Sequence, residues 1–140
     1  MPMEFASPQD AEDALYDALE AGDLDGLMAV WENSDRIACL LPMTPLLQGR
    51  TAVRQGWQRL VESAVTPEIR IHHREWVESG EVAIHLVEEW VMIPDSSQPP
   101  LQIFASNVYR RTPSGWRLVV HQASPLPPPP NDPRMPGAAF

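Results

Sequence analysis

Apolar residues recur every three or four positions at Ala11, Ala14, Leu15, Ala18 and Leu19, after a Ser7-Pro8 pair suited to a helix cap and first turn. The spacing predicts an amphipathic helix from Ser7 to Leu19. Gly22 fits a helix stop, and Asp23 can cap a second short helix through Leu24, Leu27, Met28, Val30 and Trp31. Ile37 to Leu41 is a short apolar run ended by Pro42, and the stretch from Met43 to Leu47 is broken by Pro45. A proline there suits an edge strand or hairpin arm better than a central strand. Helical spacing returns in Val53, Trp57, Leu60, Val61 and Ala64, which predicts a third helix over Thr51 to Ala64 that Pro67 prevents from continuing.

Four strand-like runs follow, at about 68 to 78, 81 to 93, 101 to 111 and 115 to 124, separated by Ser79-Gly80, by Pro94 to Pro100 and by Pro113 to Gly115. Helices followed by an antiparallel meander predict one α+β domain over residues 7–125, with an N-terminal extension, 1–6, before it. Beyond it, residues 126–140 include four consecutive prolines, Pro127 to Pro130, and are expected to form a polyproline-like or disordered tail. With 140 residues and 44% hydrophobic content, the chain suits one well-filled core rather than two.

Charge narrows the function classes. The formal net charge is −9, and the first 35 residues hold ten acidic side chains, Glu4 to Asp35, with no basic one. A field of that sign opposes a polyphosphate backbone, so no nucleic-acid partner is expected. All ten basic residues are arginines, which excludes a Schiff-base lysine and a P-loop lysine. Cys39 is the single cysteine, so an internal disulfide, a redox pair and a multi-cysteine zinc site are all excluded. No apolar run approaches a membrane span and no signal-peptide pattern opens the chain; no membrane partner and a cytoplasmic location are the expectation.

Several segments resemble the cone-shaped fold of the nuclear transport factor 2 superfamily. Tyr16-Asp-Ala-Leu-Glu-Ala-Gly-Asp-Leu-Asp-Gly-Leu27 with Trp31 is similar to its first two helices, and Leu47-Gln-Gly-Arg-Thr-Ala-Val53 to the glycine entry of its third. Ala105 to Arg111 and Gly115 to Pro125 are similar to the last two strands of its SnoaL-like branch. The resemblance implies an NTF2-like cone, with three helices packed on a strongly curved antiparallel sheet that encloses a pocket, and a homodimer. It is specific for fold and weak for activity, because the superfamily includes isomerases, cyclases, dehydratases and non-catalytic binding domains. Against ketosteroid isomerase, the helix-one tyrosine position falls on Leu15, with Tyr16 on another helical face. The general-base position falls on Leu41, and the oxyanion-binding aspartic acid position on Asn107. An amide there can still donate to a developing oxyanion.

Alternation along the strands then supplies candidate pocket residues. With Asn107 facing inward, Ile103, Ala105 and Tyr109 share its side, and the matching register places Leu118, Val120, Gln122 and Ser124 inside with His121 outside. The family register turns Leu86, Glu88 and Trp90 inward on one strand, and Ile69, Ile71 and His73 on another. A one-residue slip exchanges Glu88 for Glu89. Glu88, His73 and Asn107 are the catalytic candidates, since a carboxylate in an apolar cavity has a raised pKa suited to proton transfer. Against them stand a rim carboxylate paired with Arg110 or Arg117 and a structural amide on a curved strand. Trp31, Leu41, Trp57, Leu86, Trp90, Ala105, Tyr109, Val120, Gln122 and Ser124 are the ligand-binding candidates.

His72, His85 and His121 are expected to point outward, and Val87 and Val119 to line an apolar outer face suited to dimerisation. His72 and His73 lie on opposite faces and no metal-ligand spacing occurs, so no metal site is expected. The glycines are scattered without a phosphate-cradling loop, and no cofactor is expected. The sequence thus describes a pocket for a small hydrophobic or aromatic molecule, with isomerase, cyclase or hydratase-like proton transfer as one outcome. A non-catalytic dimerisation or interaction domain is the alternative.

Overall fold

A computed structural model describes residues 4–42, 44–63 and 67–125; the proline-rich 126–140 lie outside them. Helix α1 spans Pro8–Ala21, with the Ser7 hydroxyl accepting from the Asp10 N–H at 3.1 Å. It stops at Gly22 in the left-handed region, φ 66°, where a glycine avoids the Cβ penalty. Helix α2, Leu24–Val30, begins at Asp23, whose carboxylate accepts from the Gly26 N–H. Helix α3 is Arg50–Val61, and the Arg50 guanidinium reaches back to the carbonyls of Met28, Trp31 and Glu32 beyond and within the end of α2.

The strands are β1 Ala38–Leu40, β2 Leu47–Gln48, β3 Glu68–Ser79, β4 Val82–Met92, β5 Leu101–Thr112 and β6 Gly115–Pro125. They form one six-stranded sheet in the order β2-β1-β6-β5-β4-β3. β3 to β6 are the expected antiparallel meander, and β1 joins β6 in parallel while closing a small hairpin with β2. Phe5, ahead of the first helix, is buried and pairs with Gly115. The three helices lie on one side of the curved, open sheet, giving the α+β cone that the sequence predicts.

Two irregularities decide which side chains face the helices. On β3 the register shifts between His73 and Glu75, and on β6 between the partners of Val108 and Tyr109, where Val119 is the extra residue. A bulge of one residue reverses the alternation beyond it. Ile69, Ile71 and His73 face inward, and past the bulge Trp76 does so. On β6, Leu118 is buried inward, then His121 and Ala123 take the inner positions.

The core joins Leu15, Leu19, Leu27, Val30, Trp31, Val53 and Trp57 of the helices to Val87, Ala105, Tyr109 and Leu118 of the sheet. Trp31 is fully buried at the end of α2, bridged to Leu118. No described helix is long and apolar enough to cross a membrane.

Candidate functional site

Four neighbouring strands set Trp76, His85, Asn107 and His121 in one inward row, each paired with the next. Helix α1 crosses that row, and its residues Glu12 and Tyr16, one turn apart, face the sheet. Glu12 is 1% exposed. Its carboxylate meets His73 Nε2 at 2.5 Å, His85 Nδ1 at 2.8 Å and the Tyr109 hydroxyl at 2.8 Å, and the Asn107 amide donates to it at 3.3 Å. Burial pushes this carboxyl upward, but the hydrogen bond and charge attraction of His85, with the bonds from Tyr109 and His73, outweigh burial and hold it below the usual carboxylate range. Glu12 is therefore an ionised acceptor, and both imidazoles present N–H groups to it.

Asn107 connects this cluster to a second one. Its amide also donates to the Tyr16 hydroxyl at 3.0 Å, and Tyr16 donates to Glu89 Oε2 at 2.5 Å. Its carbonyl oxygen, 2.5 Å from His121 Nδ1, accepts the imidazole hydrogen. Desolvation lowers the His121 pKa to about 4, so near neutral pH the ring is uncharged and Nε2 keeps a lone pair. Glu89 shows the opposite displacement. Burial raises its carboxyl to about 7, the Tyr16 bond opposes this and the nearby Glu12 charge adds to it.

Glu89 and His121 line a cavity of about 920 Å³ between the helices and one end of the sheet. The remaining wall is mainly apolar, including Leu19, Leu41, Trp57, Leu60, Ile103 and Ala123. Glu89 is the only carboxylate among the described lining residues, and Arg59 the only arginine. Leu41 and Trp57, two of the expected ligand-binding residues, stand in the wall of this cavity, while Trp31 lies in the core. Ala105, Asn107 and Tyr109 face inward, Tyr109 and Asn107 within the polar network.

Other candidates lie elsewhere. Glu88, Leu86 and Trp90 face the outer side of the sheet, because the inner set on β4 is Ala83, His85, Val87 and Glu89. Glu88 is hydrogen-bonded there by the Gln102 amide, and Trp90 stands beside Arg70, His72 and Met92. Val120, Gln122 and Ser124 are likewise turned outward by the Val119 bulge. His85, His121 and Val87, expected outside, are buried inside, whereas His72 is exposed. Glu12 carries no sequence signal as a site residue, being 61 positions from His73. Tyr16 is one residue from Leu15, on which the family resemblance places the helix-one tyrosine position.

The SnoaL-like domain family matches residues 9–128. A Thiobacillus denitrificans protein, proposed to be a calcium/calmodulin-dependent protein kinase type II association domain, is 40% identical, with a TM-score of 0.84 over 89% of this chain and 98% of its own. A Streptomyces avermitilis protein of the NTF2-like family, proposed to be a dehydratase, is 26% identical, with a TM-score of 0.75 over 84% of this chain and 91% of its own. An Erwinia carotovora ketosteroid isomerase-like protein shares the fold at 17% identity and a TM-score of 0.69, covering 86% and 94% of the two chains. None of the curated proteins searched matches the sequence. The chain belongs to the SnoaL-like domain family, on the NTF2-like fold.

Proposed function

We propose that the protein binds a small hydrophobic or aromatic molecule in the cavity and transfers a proton on it through Glu89, in an isomerisation, cyclisation or elimination of water. The observation that carries this is Glu89, the one carboxylate among the described lining residues, 6% exposed, with its pKa raised to about 7. A general acid or base works best when its pKa lies near the working pH. Glu89 takes the role that sequence reasoning gave to Glu88, and Asn107 becomes a positioning residue that fixes Tyr16 and His121 rather than an oxyanion anchor. His121 Nε2 offers an acceptor to a ligand hydroxyl, while Arg59 suits a ligand with an acidic group near the cavity wall. His73, bonded to Glu12 and away from the lining, is not part of this proposal.

Native mass spectrometry of gently purified protein, followed by screening of the co-purified compound class, tests it. Glu89→Gln is expected to keep binding and lose at least about a hundredfold in turnover, the usual scale of general acid–base catalysis. Unchanged turnover in that variant would overturn the catalytic role.

A non-catalytic association domain is the second reading, favoured by the name of the Thiobacillus relative and by the exposed apolar side chains Val82, Ile84 and Leu86 on the outer sheet face. A homodimer through that face is compatible with either function. Subunit mass in the same spectra reports it.

A further inference from the structure

On the inner face, away from the apolar cavity, Glu12, His73 and His85 converge from α1, β3 and β4, with their ligand-type atoms all within 4.8 Å of one another. We propose that these three side chains form a binding site for a divalent cation of the zinc type, separate from the ligand cavity. Two imidazoles and one carboxylate are the donor set of zinc and its borderline neighbours; calcium and magnesium prefer all-oxygen shells. Glu12 is buried, and its hydrogen-bond partners among the described residues are two imidazoles, a phenol and an amide, none of them a permanent cation. A buried carboxylate is costly without a counter-charge, which a bound ion supplies.

The geometry needs little adjustment. Ligand atoms on a tetrahedral ion with bonds of about 2.0 Å are about 3.3 Å apart. Glu12 Oε1 stands 2.5 Å from His73 Nε2 and Oε2 2.8 Å from His85 Nδ1, so each of these two contacts opens by less than an ångström to admit the ion, and the ligand atoms of all three residues already lie within 4.8 Å of one another. β3 is the edge strand, and its bulge follows His73, so this ligand sits where the sheet yields most readily. The His73 side chain is 31% exposed and provides the way in. A water molecule completes the shell, and Asn107 and Tyr109 already hold the carboxylate through hydrogen bonds to Glu12 Oε2, as second-layer groups do in metal sites. Coordination through Nδ1 moves the His85 proton to Nε2, a buried nitrogen with no hydrogen-bond partner among the described residues. That orphaned N–H is the feature working against occupancy, and the ion's attraction to Glu12 must exceed it.

The test is titration of chelator-treated protein with Co2+, followed by its visible absorption, with Zn2+ competition measured by calorimetry. A single Co2+ per chain with a low-symmetry, four-coordinate spectrum is expected. His73→Gln is the informative variant, because this partly exposed side chain can change without emptying the core; its fold is checked by circular dichroism. It is expected to weaken Co2+ by about tenfold or more, while His72→Gln, on the opposite face, leaves affinity unchanged. Absence of saturable Co2+ and Zn2+ binding up to about 1 mM, or equal affinity in His73→Gln, overturns the site.

Discussion

The Tyr16 hydroxyl donates to Glu89 Oε2 at 2.5 Å, joining the first helix to the fourth strand across 73 positions of sequence, with both side chains buried. Because Tyr16 also accepts from Asn107, its hydroxyl hydrogen is committed to Glu89. The bond favours the ionised carboxylate and opposes the effect of burial. Tyr16→Phe is therefore expected to raise the Glu89 pKa above about 7, read from carboxyl carbon chemical shifts over a pH series. The same variant loses about 1 to 3 kcal/mol in urea unfolding, the usual range for removing a buried hydrogen bond to a charged group.

Glu89 and His121 make opposite contributions to stability as pH changes. Glu89 holds its proton up to about pH 7 when folded and to 4.5 when unfolded, so the native state binds more protons between these values and stability falls as pH rises through them. His121 loses its proton at about pH 4 when folded and 6.5 when unfolded, so over that interval the unfolded state binds more protons and stability rises with pH. Each displacement corresponds to about 3 kcal/mol, and the two slopes nearly cancel between pH 4.5 and 6.5. Glu89→Gln removes the falling limb. Urea midpoints for that variant are expected to climb from pH 4 to 6.5, where the wild type stays nearly level; parallel profiles for the two proteins would refute the pairing.

Leu41 stands in the cavity wall, half-buried, at the position where the ketosteroid isomerase comparison looked for a base. Leu41→Trp fills part of the space while leaving Glu89 and His121 in place. At least about tenfold weaker binding of the cavity ligand is expected, with the melting temperature changed by only a few degrees, because the added ring enters open volume rather than a packed core.

How far the chain could be read in advance differs between its helices and its strands. The caps at Ser7 and Asp23, the stop at Gly22 and the apolar spacing of α1 are local signals, and they gave correct elements. The inward row of β5, including Asn107 and Tyr109, follows from plain alternation. β4 came out reversed because its alternation is ambiguous: Val82, Ile84 and Leu86 are as apolar as Ala83 and Val87, and adjacent Glu88 and Glu89 remove the polar marker. β6 came out partly reversed because a bulge has no sequence signature here. Glu12 was hidden for another reason. It lies on the helix that the apolar spacing explains, and its partners arrive only when the sheet has folded.

Gly115 is a smaller test of the same sheet. Its φ of 103° disfavours any side chain, and a Cβ there would lie 2.7 Å from the Phe5 carbonyl oxygen. Gly115→Ala is expected to lose about 2 kcal/mol or more in chemical denaturation, since both the strained conformation and the displaced Phe5 segment oppose the change. Hydrogen exchange at the Trp116 amide, which donates to the Phe5 carbonyl at 2.9 Å, should accelerate in step.

The extra residue at Val119 makes β6 a strand with two possible inner linings. In a regular strand continuing from Leu118, Val120, Gln122 and Ser124 would meet the helices, and the enclosed space would offer an amide and a hydroxyl in place of an imidazole. One inserted position instead brings His121 opposite Asn107 and Ala123 opposite Ala105. The bulge thus decides whether this part of β6 turns an imidazole or an amide and a hydroxyl toward the interior, and removing Val119 itself would restore regular pairing while keeping His121 inside.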